Sequence, residues 1–194
     1  ISVVFSIWSR RCDMGTDCPS DCGGALPAVS FDDCAPAIHY GEVSKLYLAN
    51  VEAADFTNVE LLSEWTTRLT ADGTNPDAIR ELTVIGDLPE AERTEITISG
   101  DRTIAGVKNF TMNFEIDETN VTNYNFLLTT ECNPKFKMWF ETSDGILYGG
   151  NEGIEASILM NLVIPRERTD VVKYMGQAKW RSQFSPLRSI MPTA

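Results

Sequence analysis

The chain has only one histidine, His39, in 194 residues. A single histidine excludes metal centres built on a His-x-x-x-His pair, and no flanking nucleophile motif accompanies it. The sequence also lacks a G-x-S-x-G motif, a P-loop, and a G-x-G-x-x-G motif at a strand-to-helix junction. We therefore interpret His39 as a strand-end or loop residue and not a general base. We predict no enzyme activity and no catalytic, cofactor-binding or metal-binding residues.

Long apolar runs are also missing from the sequence. No segment approaches the ~20 apolar residues that a membrane-spanning helix requires. The apolar residues 1–8 are too few for a span, and no positive region or small-residue cleavage pattern marks them as a signal peptide. We expect no membrane partner, and we interpret residues 1–8 as an apolar strand or arm that docks on a neighbour.

Positive charge is scarce, because 16 Lys and Arg face 28 Asp and Glu, for a net charge of −12. Such a surface repels phosphate backbones, so we expect DNA to pass without specific binding. The charge is also uneven. Residues 41–100 hold four basic and twelve acidic side chains, whereas residues 165–194 hold six basic and two acidic ones. This asymmetry either lets the basic end of one subunit meet an acidic face of the next, or only keeps the protein soluble.

Four of the five cysteines lie within the first 34 residues, at Cys12, Cys18, Cys22 and Cys34. Only Cys18 and Cys22 have the spacing of a zinc knuckle, which argues against a structural zinc site. Disulfides would require an oxidising compartment, and unpaired thiols a reducing one. The pattern leaves both open and slightly favours unpaired thiols. We interpret Cys132 as a core residue at the end of a strand.

Period-two alternation of apolar side chains is the most abundant pattern in the sequence. In residues 110–116 and 154–162, every second side chain is apolar, so one face of each segment can be buried. This predicts a mainly β fold, an antiparallel β-sandwich or barrel. Asp144 and Gly145 favour a tight hairpin turn. The predicted strands are residues 38–48, 79–85, 94–99, 107–116, 123–130, 135–142, 146–149, 154–164, 169–175 and 178–180.

One segment changes to helical spacing. Its apolar residues recur every three or four positions, which predicts one short α-helix over about residues 58–70. Thr57 and Glu60 have the spacing of a capping box, and Gly73 is placed to end the helix. Trp65 is expected on the buried face.

Turn-forming residues and lost periodicity divide the chain into three parts. Residues 1–36 form a Cys-, Gly- and Pro-rich N-terminal arm, and residues 37–182 form the β-domain. Residues 183–194 form an extended C-terminal arm, since they contain two prolines and no periodic pattern. We expect both arms to reach between neighbouring subunits.

Two pairs of neighbouring carboxylates are candidates for calcium or glycosidase sites. Asp117 with Glu118, and Glu90 with Glu92, lie in predicted loops or turns. Neither pair has the ligand-spaced Asp, Asn and Gly pattern of a calcium loop. We interpret all four as solvated turn residues.

Four segments of the sequence carry a resemblance to a known class of proteins. They are residues 100–104 (GDRTI), 113–117 (NFEID), 139–150 (WFETSDGILYGG) and 178–181 (AKWR). Together they resemble bacteriophage virion proteins of the tail-tube class and the related ring proteins of head–tail junctions, over roughly residues 38–182. The resemblance implies a β-sandwich or barrel subunit that assembles into a hexameric ring, with rings stacked into a tube whose acidic lumen conducts DNA.

The resemblance also implies a location and partners. The protein would be a non-enzymatic virion component, assembled in the host bacterial cytoplasm, with itself and other virion proteins as partners. Two alternatives stay open. One is a capsid decoration protein or an Ig-like adhesive module. The other is a carbohydrate-binding jelly-roll module, in which Trp139, Tyr148 and Tyr124 would form a sugar platform, although core packing is the commoner role of such aromatics.

Overall fold

A computed structural model describes most of the chain, and its described residues are 29, 38–39, 41–99, 102–167 and 169–192. The N-terminal arm with Cys12, Cys18, Cys22 and Cys34 therefore lies outside the described residues, except for Val29. The turn predicted at Gly100 and Asp101 lies outside them too.

Within those residues the fold consists of strands with two helices. The helices are α1 (Leu62–Leu69) and α2 (Val121–Cys132). The strands are β1 (Val43–Ala49), β2 (Ile79–Asp87), β3 (Glu92–Ser99), β4 (Arg102–Ile116), β5 (Lys135–Thr142), β6 (Ile146–Tyr148), β7 (Ile154–Val163), β8 (Lys173–Ser182) and β9 (Arg188–Ile190).

Six strands close into an antiparallel barrel in the order β1-β2-β4-β8-β7-β5. Closure comes from β5, which pairs back onto β1, so that Leu46 has Leu82 on one side and Phe140 on the other. Three strands extend this sheet: β3 pairs with β4, β6 with β5, and β9 with β6. The predicted mainly β barrel or sandwich is confirmed.

The barrel interior follows the alternation seen in the sequence. Met112, Ile158 and Ala178 are all 0% exposed, because every second residue of β4, β7 and β8 points inward. Phe110 stacks on Trp180 with ring centroids 5.0 Å apart. Each large apolar side chain buried here stabilises the fold by about 1.5–3 kcal/mol.

A second apolar layer covers the outside of β1 and β5. Tyr47 and Trp139 point away from the barrel interior, yet both are buried beneath α1 and the segment that precedes it. Trp65 of α1 packs against both rings, at centroid distances of 4.9 Å and 6.0 Å. Its indole N–H donates to the Val59 carbonyl at 2.7 Å. Residues 46–49 of β1 and 138–140 of β5 are therefore buried on both faces, which explains why each of these runs is continuously apolar.

The predicted helix is confirmed, but its predicted start and stop are wrong. The capping position is Leu61, which makes no side-chain cap hydrogen bond, so the capping box does not form. Glu64 accepts the hydrogen bond from the Thr57 backbone N–H, at 3.0 Å. At the other end, the helix ends at Leu69 with Thr70 as its C-cap, ahead of Gly73. The predicted burial of Trp65 is confirmed, at 0% exposure.

The strand predicted over residues 123–130 is wrong, because this segment is helix α2. Its N-terminus is capped by Asn120, whose side-chain oxygen accepts from the Asn123 N–H at 2.8 Å. Leu127 joins the barrel interior cluster, so packing outweighs the strand preference of the local sequence. The interpretation of Cys132 as a buried strand-end residue is also wrong, because it is exposed at the end of α2.

Two further predictions concern a turn and the bounds of a strand. The tight turn at Asp144 and Gly145 is confirmed, with a φ of 82° at Gly145 and a hydrogen bond from its N–H to the Thr142 carbonyl at 2.9 Å. The strands predicted over 169–175 and 178–180 are one strand, β8, which begins at Lys173, so the predicted start at residue 169 is wrong.

The predicted C-terminal arm contains strand β9. This strand pairs with β6 of the same chain, joining Ile190 to Ile146 and Arg188 to Tyr148. The described part of the arm is therefore extended, but it adds to its own sheet.

Removing the Trp65 side chain should test the second apolar layer. We expect Trp65→Ala to lower the free energy of unfolding by about 3–5 kcal/mol, because it opens a large cavity between α1 and the barrel. Urea unfolding followed by circular dichroism measures this. Val121→Ala, at a side chain that is 77% exposed, is the control and should change stability by about 0.5 kcal/mol or less. Equal effects of the two substitutions would contradict the layer's role.

Candidate assembly surface

His39 is an exposed loop residue that lies beside the β5–β6 turn. Its Nδ1 atom is 2.8 Å from a carboxylate oxygen of Asp144. The hydroxyl of Thr142 donates to the other carboxylate oxygen. This hydrogen bond, followed by the one from His39, lowers the pKa of Asp144. The histidine thus has a carboxylate partner at the hairpin turn. It lies in a loop, which is one of the two predicted positions, and the predicted start of the first strand at residue 38 is wrong because β1 begins at Val43.

The candidate carboxylate pairs lie at the surface. Asp117 and Glu118 occupy the β4–α2 loop, where Glu118 accepts a hydrogen bond from the Asn120 side chain at 2.7 Å. Glu90 precedes β3, whereas Glu92 is the first residue of that strand, so the loop position predicted for Glu92 is wrong. Over the part of the chain that the structure describes, no group of three or more His, Cys, Asp or Glu side chains could hold a metal ion.

The three aromatic residues of the sugar-platform alternative lie in different environments. Trp139 is 0% exposed beneath α1, and its N–H donates to the Gly150 carbonyl at 2.8 Å. Tyr148 stacks on Phe140 with centroids 4.9 Å apart. Tyr124 is 44% exposed on α2. Core packing is therefore the role of Trp139, and the three rings do not form one platform.

A cavity of about 680 Å³ opens between the start of β1, the end of β2 and the segment before β9. Its walls are mostly apolar, with Glu42 and Asp87 as the carboxylates. The cavity therefore offers packing surface and few groups for chemistry. The lining residues are Gly41, Glu42, Val43, Gly86, Asp87, Leu88, Phe110, Phe140, Thr142, Tyr148, Ser185 and Pro186.

The β3–β4 hairpin is an exposed part of the described structure. Strand β4 is 15 residues long, but only its residues from Lys108 onward pair with β8. Its first part pairs with β3 alone, so the hairpin extends beyond the barrel wall. Ile96 and Ile98 of β3 are each 57% exposed. Because a lone two-stranded hairpin is marginally stable in water, a partner surface would stabilise this one.

The sequence predicted the β3 strand but not its exposure. Thr94 to Ser99 alternates like a strand that buries one face, and the structure leaves that face open. Ile96 and Ile98 are the only large apolar residues of β3. The sequence of this strand therefore does not show whether its apolar face packs within the chain or against another molecule. The charged residues around them, Glu92, Arg93 and Glu95, were the available indication of an edge strand.

A further exposed apolar group lies on the outer wall of the barrel. Leu159 of β7 and Met175 of β8 are 50% and 48% exposed. They flank Gln177, whose side-chain N–H donates to Asn113 at 3.0 Å. Beside Met175, Lys173 forms an ion pair with Glu115 at 2.6 Å, and the carboxylate raises the pKa of Lys173. The wall therefore mixes apolar and polar side chains, as interface surfaces do.

The hydroxyl of Tyr47 is the most strongly perturbed titratable group among the described residues. It donates to a Glu141 carboxylate oxygen at 2.7 Å. Burial, followed by the hydrogen bond to Glu141, raises the pKa of Tyr47. The folded state thus holds this tyrosine neutral, beyond the pH at which a tyrosine in the unfolded chain would ionise.

This pKa shift gives a testable pH dependence. Above about pH 10, Tyr47 ionises in the unfolded chain while the folded state keeps it neutral, so stability should fall by up to about 1.4 kcal/mol per pH unit. Below about pH 10 its contribution is fully present. We expect Tyr47→Phe to remove this part of the slope in urea unfolding between about pH 9 and 11. Tyr124→Phe is the matched control and should leave the slope unchanged; the same result for Tyr47→Phe would disprove the assignment.

Comparisons with known proteins find no matching family model, no similar curated protein and no similar solved structure. Among the described residues, neither helix has the length and apolar character needed to cross a membrane.

Proposed function

We propose that this protein is a non-enzymatic structural subunit of a bacteriophage virion. In this proposal it belongs to a tail tube or a head–tail ring, assembles with copies of itself, and lines an acidic channel for DNA. The observation that carries the proposal is the β3–β4 hairpin, which extends from a closed barrel and exposes two isoleucines.

The hairpin supports self-assembly for an energetic reason. Ile96 and Ile98 are 57% exposed in the isolated chain. Burying their exposed area against a neighbour would contribute about 1–2 kcal/mol each. Strand β3 also has one edge that pairs with no other described strand, and such edges favour strand pairing between chains. A neighbouring subunit would cover both features at once.

The charge supports the channel part of the proposal. The chain carries a net charge of −12, which repels DNA phosphates and prevents adhesion to a channel wall. Extended arms between subunits were the other expected contact. Since β9 pairs with β6 of its own chain, the described part of the C-terminal arm supports the subunit itself, and the hairpin takes the leading place among the proposed contacts.

The test is the assembly state of the purified protein, with and without the hairpin isoleucines. We expect the wild-type chain to form rings or tubes in negative-stain electron microscopy and to sediment as oligomers. The double substitution Ile96→Asp with Ile98→Asp should weaken assembly by roughly 100-fold or more, because it places charges in a desolvated contact. Circular dichroism should show that the variant stays folded, since both side chains are exposed.

The matched control is Ile164→Asp with Val171→Asp, at positions that are 71% and 66% exposed outside the hairpin. This control should assemble like the wild type. A wild-type protein that sediments as a monomer at its highest soluble concentration would overturn the proposed function. A wild-type assembly that tolerates the Ile96 and Ile98 substitutions would show that the hairpin is not the contact.

A further inference from the structure

The layer that covers β1 and β5 presents an acidic outer surface. Between β1 and β2, residues 50–78 hold six carboxylates and one arginine, a formal charge of −5. Glu52 and Glu60 are exposed, and Glu60 directly precedes the exposed Leu61 and Leu62 at the start of α1. We call Glu52, Glu60, Leu61 and Leu62 the acidic face.

Strand β8 presents the opposite charge. It contains Lys173, Lys179 and Arg181 and no acidic residue. Lys173 is paired with Glu115, whereas Lys179 and Arg181 are exposed and form no ion pair with any described residue.

The residues that pair with these two cations in the strand register are neutral. Lys179 lies between Thr111 and Ser157 in the strand register, and Arg181 is beside Asn109. Leu159 and Met175 continue the same outer surface. We call Leu159, Met175, Lys179 and Arg181 the basic face.

The barrel places these two faces on opposite sides. Around the six-stranded closure, β8 is three strands from β1 in both directions, through β2 and β4 or through β5 and β7. The acidic face lies over β1 and β5 because Trp65 packs on Tyr47 and Trp139. A single copy therefore cannot bring its acidic face to its own basic face.

We infer that the acidic face of one copy binds the basic face of the next copy. Such a contact is heterologous, so it generates a closed ring or an open filament. Each face combines apolar side chains with charges of one sign, and complementary charges fix the register of association. This inference rests on the proposed function and names the surfaces through which subunits join side by side.

Charge reversal on each face provides the test. The basic-face variant is Lys179→Glu with Arg181→Glu, and the acidic-face variant is Glu52→Lys with Glu60→Lys. In either variant alone, the two faces carry like charges, so we expect assembly to weaken by roughly 100-fold. An equimolar mixture should regain assembly, because each reversed face then meets its complement on the other variant. Sedimentation velocity measures all three samples.

The matched control is Arg166→Glu with Arg188→Glu, which makes the same charge change at exposed positions outside both faces. This control should assemble like the wild type. Wild-type assembly that persists in both face variants would overturn this inference and leave the proposed function intact. Failure of the mixture to regain assembly would also overturn it. A wild-type chain that never assembles would instead overturn the proposed function.

Discussion

The rest of the fold depends on the pairing of β5 with β1, which closes the barrel. This pairing brings the inward side chains of both strands into one interior cluster, with Leu46 beside Phe140. It also sets Tyr47 beside Trp139 on the outside, where α1 can cover them with Trp65. A closed barrel leaves no free edge on its six strands. The remaining edges are therefore confined to the strands added outside it.

The surfaces that we propose for assembly lie outside this closed barrel. Buried aromatic residues serve packing, and the one histidine pairs with Asp144 at the surface. The exposed features include the hairpin with Ile96 and Ile98, together with the acidic face and the basic face. The hairpin has exposed apolar area and an unpaired strand edge, while opposite charges on the two faces would orient one copy relative to the next. Together they would specify a contact between copies that has a fixed orientation.

The sequence predicted most of the barrel and little of the surface. The alternation in β7 was sufficient to predict a strand, because burial of one face fixes which side chains point inward. The Asp144–Gly145 pair was sufficient to predict a turn, because few residues other than glycine adopt a positive φ. The prediction for the α2 segment was wrong because its aromatic and threonine content favours a strand. Its helix depends instead on the Asn120 cap and on the packing of Leu127 in the barrel interior. The exposure of Ile96 could not be read from alternation, which indicates a face but not what covers it.

Native mass spectrometry of the wild-type protein tests the central claim, that this chain is built to join copies of itself. The account predicts a dominant species at a whole-number multiple of the 21.5 kDa chain mass, and a ring of six is the number that the resemblance to tail-tube proteins implies. A spectrum that contains only the 21.5 kDa chain under conditions that preserve non-covalent complexes would contradict the account.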